Sequence, residues 1–183
     1  LELGSIAATI VADDADLDRA AARCAASGFR RAGQMCTSTQ RLFVDARVLN
    51  DFTARFLAVV RALKVGDPLD PTTDVGPMVD EHAASRTQRW VDEAVALGGK
   101  VLLGGRASGT FFPPTILTNV PITAQVCSNE AFAPLVVAFP FRDLDDAIRI
   151  ANSTDYGLSS AVCSNRLDHI TRLIAELDVG TVN

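Results

Sequence analysis

Cys36 lies in Phe29-Arg30-Arg31-Ala32-Gly33-Gln34-Met35-Cys36-Thr37-Ser38, a polar, glycine-bearing stretch. A thiol in such a setting can act as a nucleophile, because sulfur attacks a carbonyl carbon well even when only partly ionised. Two carboxylates stand in comparably specific contexts: Glu2 in Leu1-Glu2-Leu3-Gly4-Ser5, and Glu130 in Asn129-Glu130-Ala131-Phe132-Ala133-Pro134. A carboxylate in a partly desolvated pocket can be tuned toward neutral pH as a general base. One that faces a vicinal diol can accept hydrogen bonds from both hydroxyls. Taken singly, each residue has a plainer reading. A free cysteine is usually a small core hydrophobe, and an isolated glutamate is usually a solvated charge.

The segment around Cys36 resembles the cysteine signature of the aldehyde dehydrogenase family, F-x-x-x-G-Q-x-C with a small hydroxyl residue soon after. Leu1 to Ser5 resembles that family's E-L-G-G motif and precedes Cys36 at about the family separation. Asn129 to Pro134 resembles E-x-F-G/A-P, Asn152-Ser153-Thr154-Asp155-Tyr156-Gly157-Leu158 resembles N-x-x-x-Y-G-L, and Gly180-Thr181-Val182-Asn183 resembles G-x-x-N. The motifs fall in family order along the whole chain.

The resemblance implies an oxidoreductase that converts an aldehyde to a carboxylic acid with NAD or NADP. Cys36 is then the nucleophile that forms a thiohemiacetal and later a thioester. Glu2 is the general base for the hydrolytic water, and the Cys36 backbone N–H donates to the oxyanion. Glu130 is expected to bond the nicotinamide ribose hydroxyls and Phe132 to pack beside the nicotinamide. Both precede an apolar strand from Leu135, which puts them in reach of the sheet edge where cofactors bind. Gly33 and Gln34 would shape the turn that presents the thiol. Two positions depart from the family pattern. Ser5 replaces the second glycine of E-L-G-G, which is tolerable if its φ stays negative, and Asn129 stands where many members have a second glutamate.

A runner-up is a CoA-acylating semialdehyde dehydrogenase, a branch that tends to lack the base glutamate. A third reading is a catalytically silent relative that keeps the fold. Thr37 and Ser38 leave part of the aldehyde pocket small and polar, which points to a short or polar aldehyde. Arg30, Arg31 and Arg106 are candidates to meet an anionic tail.

The remaining reactive side chains read as structural. Cys24, Cys127 and Cys163 form no CxxC with one another or with Cys36, so neither a zinc site nor a disulfide framework is expected. His82 and His169 read as exposed helix histidines, the aspartate clusters as helix N-caps and not metal sites, and Trp90 and the phenylalanines as core. Arg41 is expected to orient the loop after Cys36 or to pair with a carboxylate.

Elements that would position these residues alternate between strand and helix. Strands are predicted over 6–12, 41–44, 100–103, 115–117, 133–139, 159–163 and 180–183. Helices are predicted over 17–31, 48–63, 80–97, 143–152 and 167–176. Pro113-Pro114 marks the strand at 115–117 as an edge strand. The alternation predicts an α/β three-layer sandwich with a largely parallel sheet, of the aldehyde dehydrogenase catalytic-domain type. Residues 1–183 read as a single cysteine-bearing domain. Neither a G-x-G-x-x-G nor a P-loop occurs, so the Rossmann-like cofactor domain and the C-terminal oligomerisation segment are expected elsewhere in a longer protein, with little dehydrogenase activity in this piece alone.

The 183 residues carry a formal net charge of -5 and only two lysines, Lys64 and Lys100, so there is no basic footprint for nucleic acid. No apolar run approaches the roughly 18 residues of a membrane span. The expectation is a cytoplasmic protein with free thiols, a small-molecule aldehyde substrate, and a homodimer or homotetramer at full length.

Overall fold

A computed structural model describes residues 4–183. Glu2, the expected base, lies outside the described residues.

Seven strands form one sheet in the order β3-β4-β5-β2-β1-β6-β7. The strands are β1 (Ala8–Val11), β2 (Arg41–Asp45), β3 (Lys100–Leu103), β4 (Thr115–Thr118), β5 (Leu135–Phe141), β6 (Ser159–Cys163) and β7 (Thr181–Val182). All neighbours pair in parallel except β3 with β4. The helices are α1 (Leu17–Phe29), α2 (Leu49–Arg61), α3 (Glu81–Ala96), α4 (Gln125–Ser128), α5 (Leu144–Ala151) and α6 (Leu167–Glu176). The sandwich and its largely parallel sheet are as the alternation predicts.

Period-two alternation divides the strand side chains between two covered faces. On one face Val11, Leu42, Val44, Ile116 and Val136 pack under α1 and α2. There Phe29 stacks on Phe56 and Phe56 on Phe52, all fully buried. Burying a side chain of that size stabilises by about 1.5–3 kcal/mol. On the other face Ala8, Ile10, Phe43 and Phe141 meet α5 and α6, while Leu117, Leu135 and Val137 meet α3 and α4. Three helix starts are fixed by aspartates whose carboxylates accept a backbone N–H three residues on: Asp16 from Arg19, Asp80 from Ala83 and Asp143 from Asp146.

Some expectations change. β4 is an interior strand between β3 and β5. Pro113 and Pro114 precede the paired residues, so they remove no ladder hydrogen bond, and β3 takes the edge instead. The short helix α4 carries no periodic signal long enough to read. His169 is not exposed: its side chain is 15% accessible, beside Asp14 at 3.4 Å. Trp90 is half-buried, with the Arg86 guanidinium 5.4 Å from its ring centre. Phe111, Phe132 and Phe139 are half-buried, as is Cys163, whereas Cys24 and Cys127 are core residues. Among the described residues no helix is long and apolar enough to cross a membrane.

Candidate active site

The motif residues meet at the amino ends of the parallel strands. Gly4 and Ser5 precede β1, the Cys36 segment precedes β2, Glu130 and Phe132 precede β5, and Tyr156 precedes β6. Open α/β sheets usually bind ligands outside the carboxyl ends. Here Glu130 and Phe132 do sit at a sheet edge, but at the opposite one.

Between α1 and β2 the chain makes a left-handed turn. Arg31, Ala32 and Gly33 have φ of 54°, 54° and 64°. Two non-glycine residues in that region cost about 1–2 kcal/mol each, so the surrounding packing must impose the turn. Gly33 shows how. A Cβ there would lie 2.0 Å from the Ala133 carbonyl oxygen, so the Cys36 turn rests directly on the backbone of the Glu130 loop. Gln34 fixes the outer side: its Nε2 donates to the carbonyls of Arg31 and Pro77, and its Oε1 accepts from Val79 N–H at 2.8 Å.

Cys36 sits at the first inner corner of a turn closed by Ser38 N–H donating to the Met35 carbonyl at 3.0 Å. Its side chain is half-buried, and among the described residues nothing accepts its backbone N–H. That donor is available to a developing oxyanion. Ser38 Oγ, two residues on, is buried without a hydrogen-bond partner among the described residues. Two of the other thiols are disfavoured as thiolates, whereas the hydrogen bond with Cys24 holds Cys163 below the usual thiol value. Burial pushes the Cys127 thiol up to about 12, and the contact with Cys163, reinforced by burial, pushes Cys24 up as well.

Glu130 faces the E-L-G-G region. Its Oε1 accepts the Ser5 N–H at 2.9 Å, and a Cβ on Gly4 would come within 3.3 Å of its Oε2 and 3.0 Å of Tyr156. Gly4 has φ 69°, while Ser5 is not among the positive-φ residues, so serine is tolerated at the second glycine position. Asn129 spends its side-chain amide locally, on Gln125 and Ser128. Among the described residues nothing donates to the second Glu130 oxygen, and a carboxylate with a half-buried aromatic residue two positions on is the side-chain chemistry that one end of a nicotinamide cofactor, a ribose diol and a flat ring, would need. Phe132 itself has φ 48°, a sparsely populated conformation that sets the direction of its ring.

Arg41 takes no carboxylate partner among the described residues. Arg41 is 2% exposed, and its guanidinium donates to the carbonyls of Ile6, Ile150 and Ala151, tying β2 to the segment before β1 and to the carboxyl end of α5. Burial pushes it down to about 10, so it remains charged at neutral pH. The helix dipole favours a cation there. A cleft of about 830 Å³ beside α1 is lined by Arg23, Arg30, Thr37, Thr39, Ser160 and Asn183, and so reaches the residue after Cys36. Arg31 is exposed outside that lining, and Arg106 pairs with Asp92. Spacing alone gave no sign of two further positioning groups, Gln40 and the left-handed pair Arg31-Ala32.

Asp13, Asp14 and His169 bring ligand-type atoms within 4.8 Å of one another, but at the carboxyl ends of the strands. Asp13 is engaged by Arg47, and Asp14 by Ser164 and Asn165.

Comparison with known proteins fits this geometry. The chain is 41% identical to the 3-sulfolactaldehyde dehydrogenase of Priestia aryabhattai over 180 residues, 98% of this chain but 38% of that protein. Its fold superposes with a TM-score of 0.97 on an NADP dependent enzyme from E. coli, at 39% identity, covering 100% of this chain and 39% of that one. Aldehyde dehydrogenase 21 of Physcomitrella patens, in complex with the reaction product succinate, matches with a TM-score of 0.96 and 39% identity over 99% of this chain and 38% of that one. The chain thus spans well under half the length of these relatives. The family model described as the aldehyde dehydrogenase family matches residues 1–183 throughout, and the chain belongs to that family.

Proposed function

We propose that the full-length protein oxidises a short, anionic aldehyde to a carboxylic acid with NAD or NADP. The observation that carries this reading is the seating of the Cys36 turn on the Glu130 loop through Gly33, which brings a thiol and a ribose-type carboxylate to one edge.

The Cys36 thiolate adds to the aldehyde carbon, and its own N–H donates to the oxygen that becomes negative. Glu130 and Phe132 would hold the ribose and ring of a nicotinamide cofactor, which would supply the hydride acceptor for that carbon. Cys36 is left as a thioester, and Glu2 takes a proton from the water that cleaves it, returning the free thiol and the acid. The rest of the cofactor site belongs to a separate Rossmann-like domain, and the full-length protein assembles as a homodimer or homotetramer. Free thiols at all four cysteines suit a reducing, cytoplasmic setting.

The anionic tail is supported by Arg30, exposed in the cleft that reaches Thr37. It is also supported by relatives whose names specify 3-sulfolactaldehyde, succinate semialdehyde and glutarate semialdehyde.

The test is a panel of short aldehydes, neutral, carboxylated and sulfonated, assayed on the full-length protein with each cofactor and with or without CoA. Anionic aldehydes are expected to turn over without CoA. Cys36→Ala should lower kcat/KM by at least about 1,000-fold. Arg30→Met should raise KM for an anionic aldehyde about tenfold and leave a neutral one unchanged. Strict CoA dependence would favour the acylating branch. A Cys36 alkylated no faster than Cys24 at neutral pH would point to a silent relative.

A further inference from the structure

Gln40 stands between the Cys36 turn and β2, and only 5% of it is accessible. Its backbone is fixed on both sides: its N–H donates to the Ala7 carbonyl at 3.1 Å, and its carbonyl accepts from Val137 N–H at 2.8 Å. Its side chain reaches across to a single segment. Nε2 donates to the carbonyls of Val126 at 2.9 Å and Asn129 at 2.7 Å, while Oε1 accepts the Ala131 N–H at 2.9 Å. Both amide hydrogens and the amide oxygen are thus committed to residues 126–131.

That segment leaves α4 and does not join the sheet until Leu135. Its backbone groups have no ladder to satisfy them, and buried peptide groups need partners. One carboxamide supplies three of these partners, on both sides of Glu130. Arg86 adds a fourth contact, donating to the Ala131 carbonyl at 2.8 Å. The Glu130 backbone is held from below by Gln40 and its carboxylate from above by Ser5.

We infer that Gln40 is a positioning residue for the cofactor carboxylate: it locks the Glu130 loop to the strand that follows the nucleophile, so that ribose and thiol are presented in one register. The inference rests on reading Glu130 as the ribose contact. A buried Gln does not contribute here through apolar burial, since an unbranched apolar side chain of the same length would fill the space. What it adds is the placement of three backbone atoms, and small errors of placement are costly at a reacting centre.

The experiment uses the full-length protein with Gln40→Met, which keeps length and volume but has no amide. Gln40→Glu, which keeps the acceptor for Ala131 and loses both donors, is the second variant should the first not fold. Four quantities are read: the Kd of the reduced dinucleotide by nicotinamide fluorescence, the aldehyde KM, the alkylation rate of Cys36, and hydrogen exchange at the Ala131 amide. The expected result is a dinucleotide Kd raised about tenfold or more, faster Ala131 exchange in Gln40→Met, and Cys36 alkylation within about twofold of wild type. An unchanged Kd in a folded variant overturns the inference. So does a loss in which Kd, aldehyde KM and alkylation all move together, because Gln40 would then only hold the domain together. A wild-type protein that binds no dinucleotide in the same titration overturns the reading of Glu130 itself, a result visible before any variant is made.

Discussion

At the amino ends of β1, β2, β5 and β6 the connecting backbone is held by close packing and by side chains that hydrogen-bond to peptide groups. At their carboxyl ends charged side chains pair with one another. The first edge seats Gly33 against Ala133, clamps residues 126–131 with Gln40, and stores strain in Arg31 and Ala32. The second edge gathers Arg47 between Asp13 and Asp45, at 2.7 Å from each, and places Asp14 against Ser164, Asn165 and His169. Packed backbone defines position to a fraction of an ångström, which a reacting centre needs. Ion pairs near the surface tolerate displacement and contribute little each. Among the described residues, Gly4, Ser5, Cys36, Glu130, Phe132 and Tyr156 fall on the first edge. Substitutions there should therefore remove activity, and those on the second edge should alter stability alone.

Among the residues that position the edge, the largest effect is expected from Gly33→Ala. Its methyl group would meet a backbone oxygen that cannot rotate away, at a φ alanine resists. Either the Cys36 turn or the Glu130 loop must shift. The expected outcome is a fall in kcat/KM of at least about 100-fold, with a stability loss of about 3 kcal/mol. Steady-state kinetics and thermal unfolding of the full-length protein check both. Near-normal activity would mean that the two segments do not need their present separation.

Arg41→Met comes next. It leaves the carbonyls of Ile6 and Ala151 without their side-chain donor, while Ile150 still accepts from Ser153. An unsatisfied buried acceptor costs about 1–3 kcal/mol, so a total loss of about 3 kcal/mol is expected. Because β2 leads directly from the Cys36 segment, activity should fall with stability. Urea unfolding together with kcat separates this residue from the carboxyl-edge arginines: Arg47→Met should change kcat by less than about twofold.

Much of the fold was readable in the residues. Asp16, Asp80 and Asp143 announce three helix starts, because a carboxylate followed by an apolar helical face has few other local uses. The motifs around Cys36 and Glu130 were readable because residue type and spacing together match the family pattern. What local spacing could not carry was partnership across the sheet. β4 reads as an edge strand until β3 is known to fold back antiparallel beside it. Gln40 reads as one more polar residue until its three partners, some ninety positions away, are placed. His169 looks exposed on α6 until Asp14 is placed beside it. The left-handed Arg31 and Ala32 bear no local mark, since packing against Ala133 imposes their conformation.

The smallest effect belongs to the carboxyl edge, and its pH dependence identifies it. Burial works to raise the Asp14 carboxyl, but hydrogen bonds from Asn165 and Ser164 outweigh it and hold the group below its usual 3.8. Asp45 is depressed in the same way, with Arg47 outweighing burial. A carboxyl group depressed in the folded state binds its proton more tightly when unfolded. Its stabilisation is therefore complete above pH 3.8 and is lost as the pH falls through the folded-state value. Asp14→Asn should lower stability by about 1 kcal/mol at pH 7, leave kcat within about twofold, and converge on wild type as the pH drops below 3.8. Thermal unfolding of both proteins from pH 7 down to the acid limit measures the convergence. A gap that stays constant with pH would show that Asp14 acts through shape and not charge. A fall in kcat would show that the two edges communicate, which their separate modes of construction argue against.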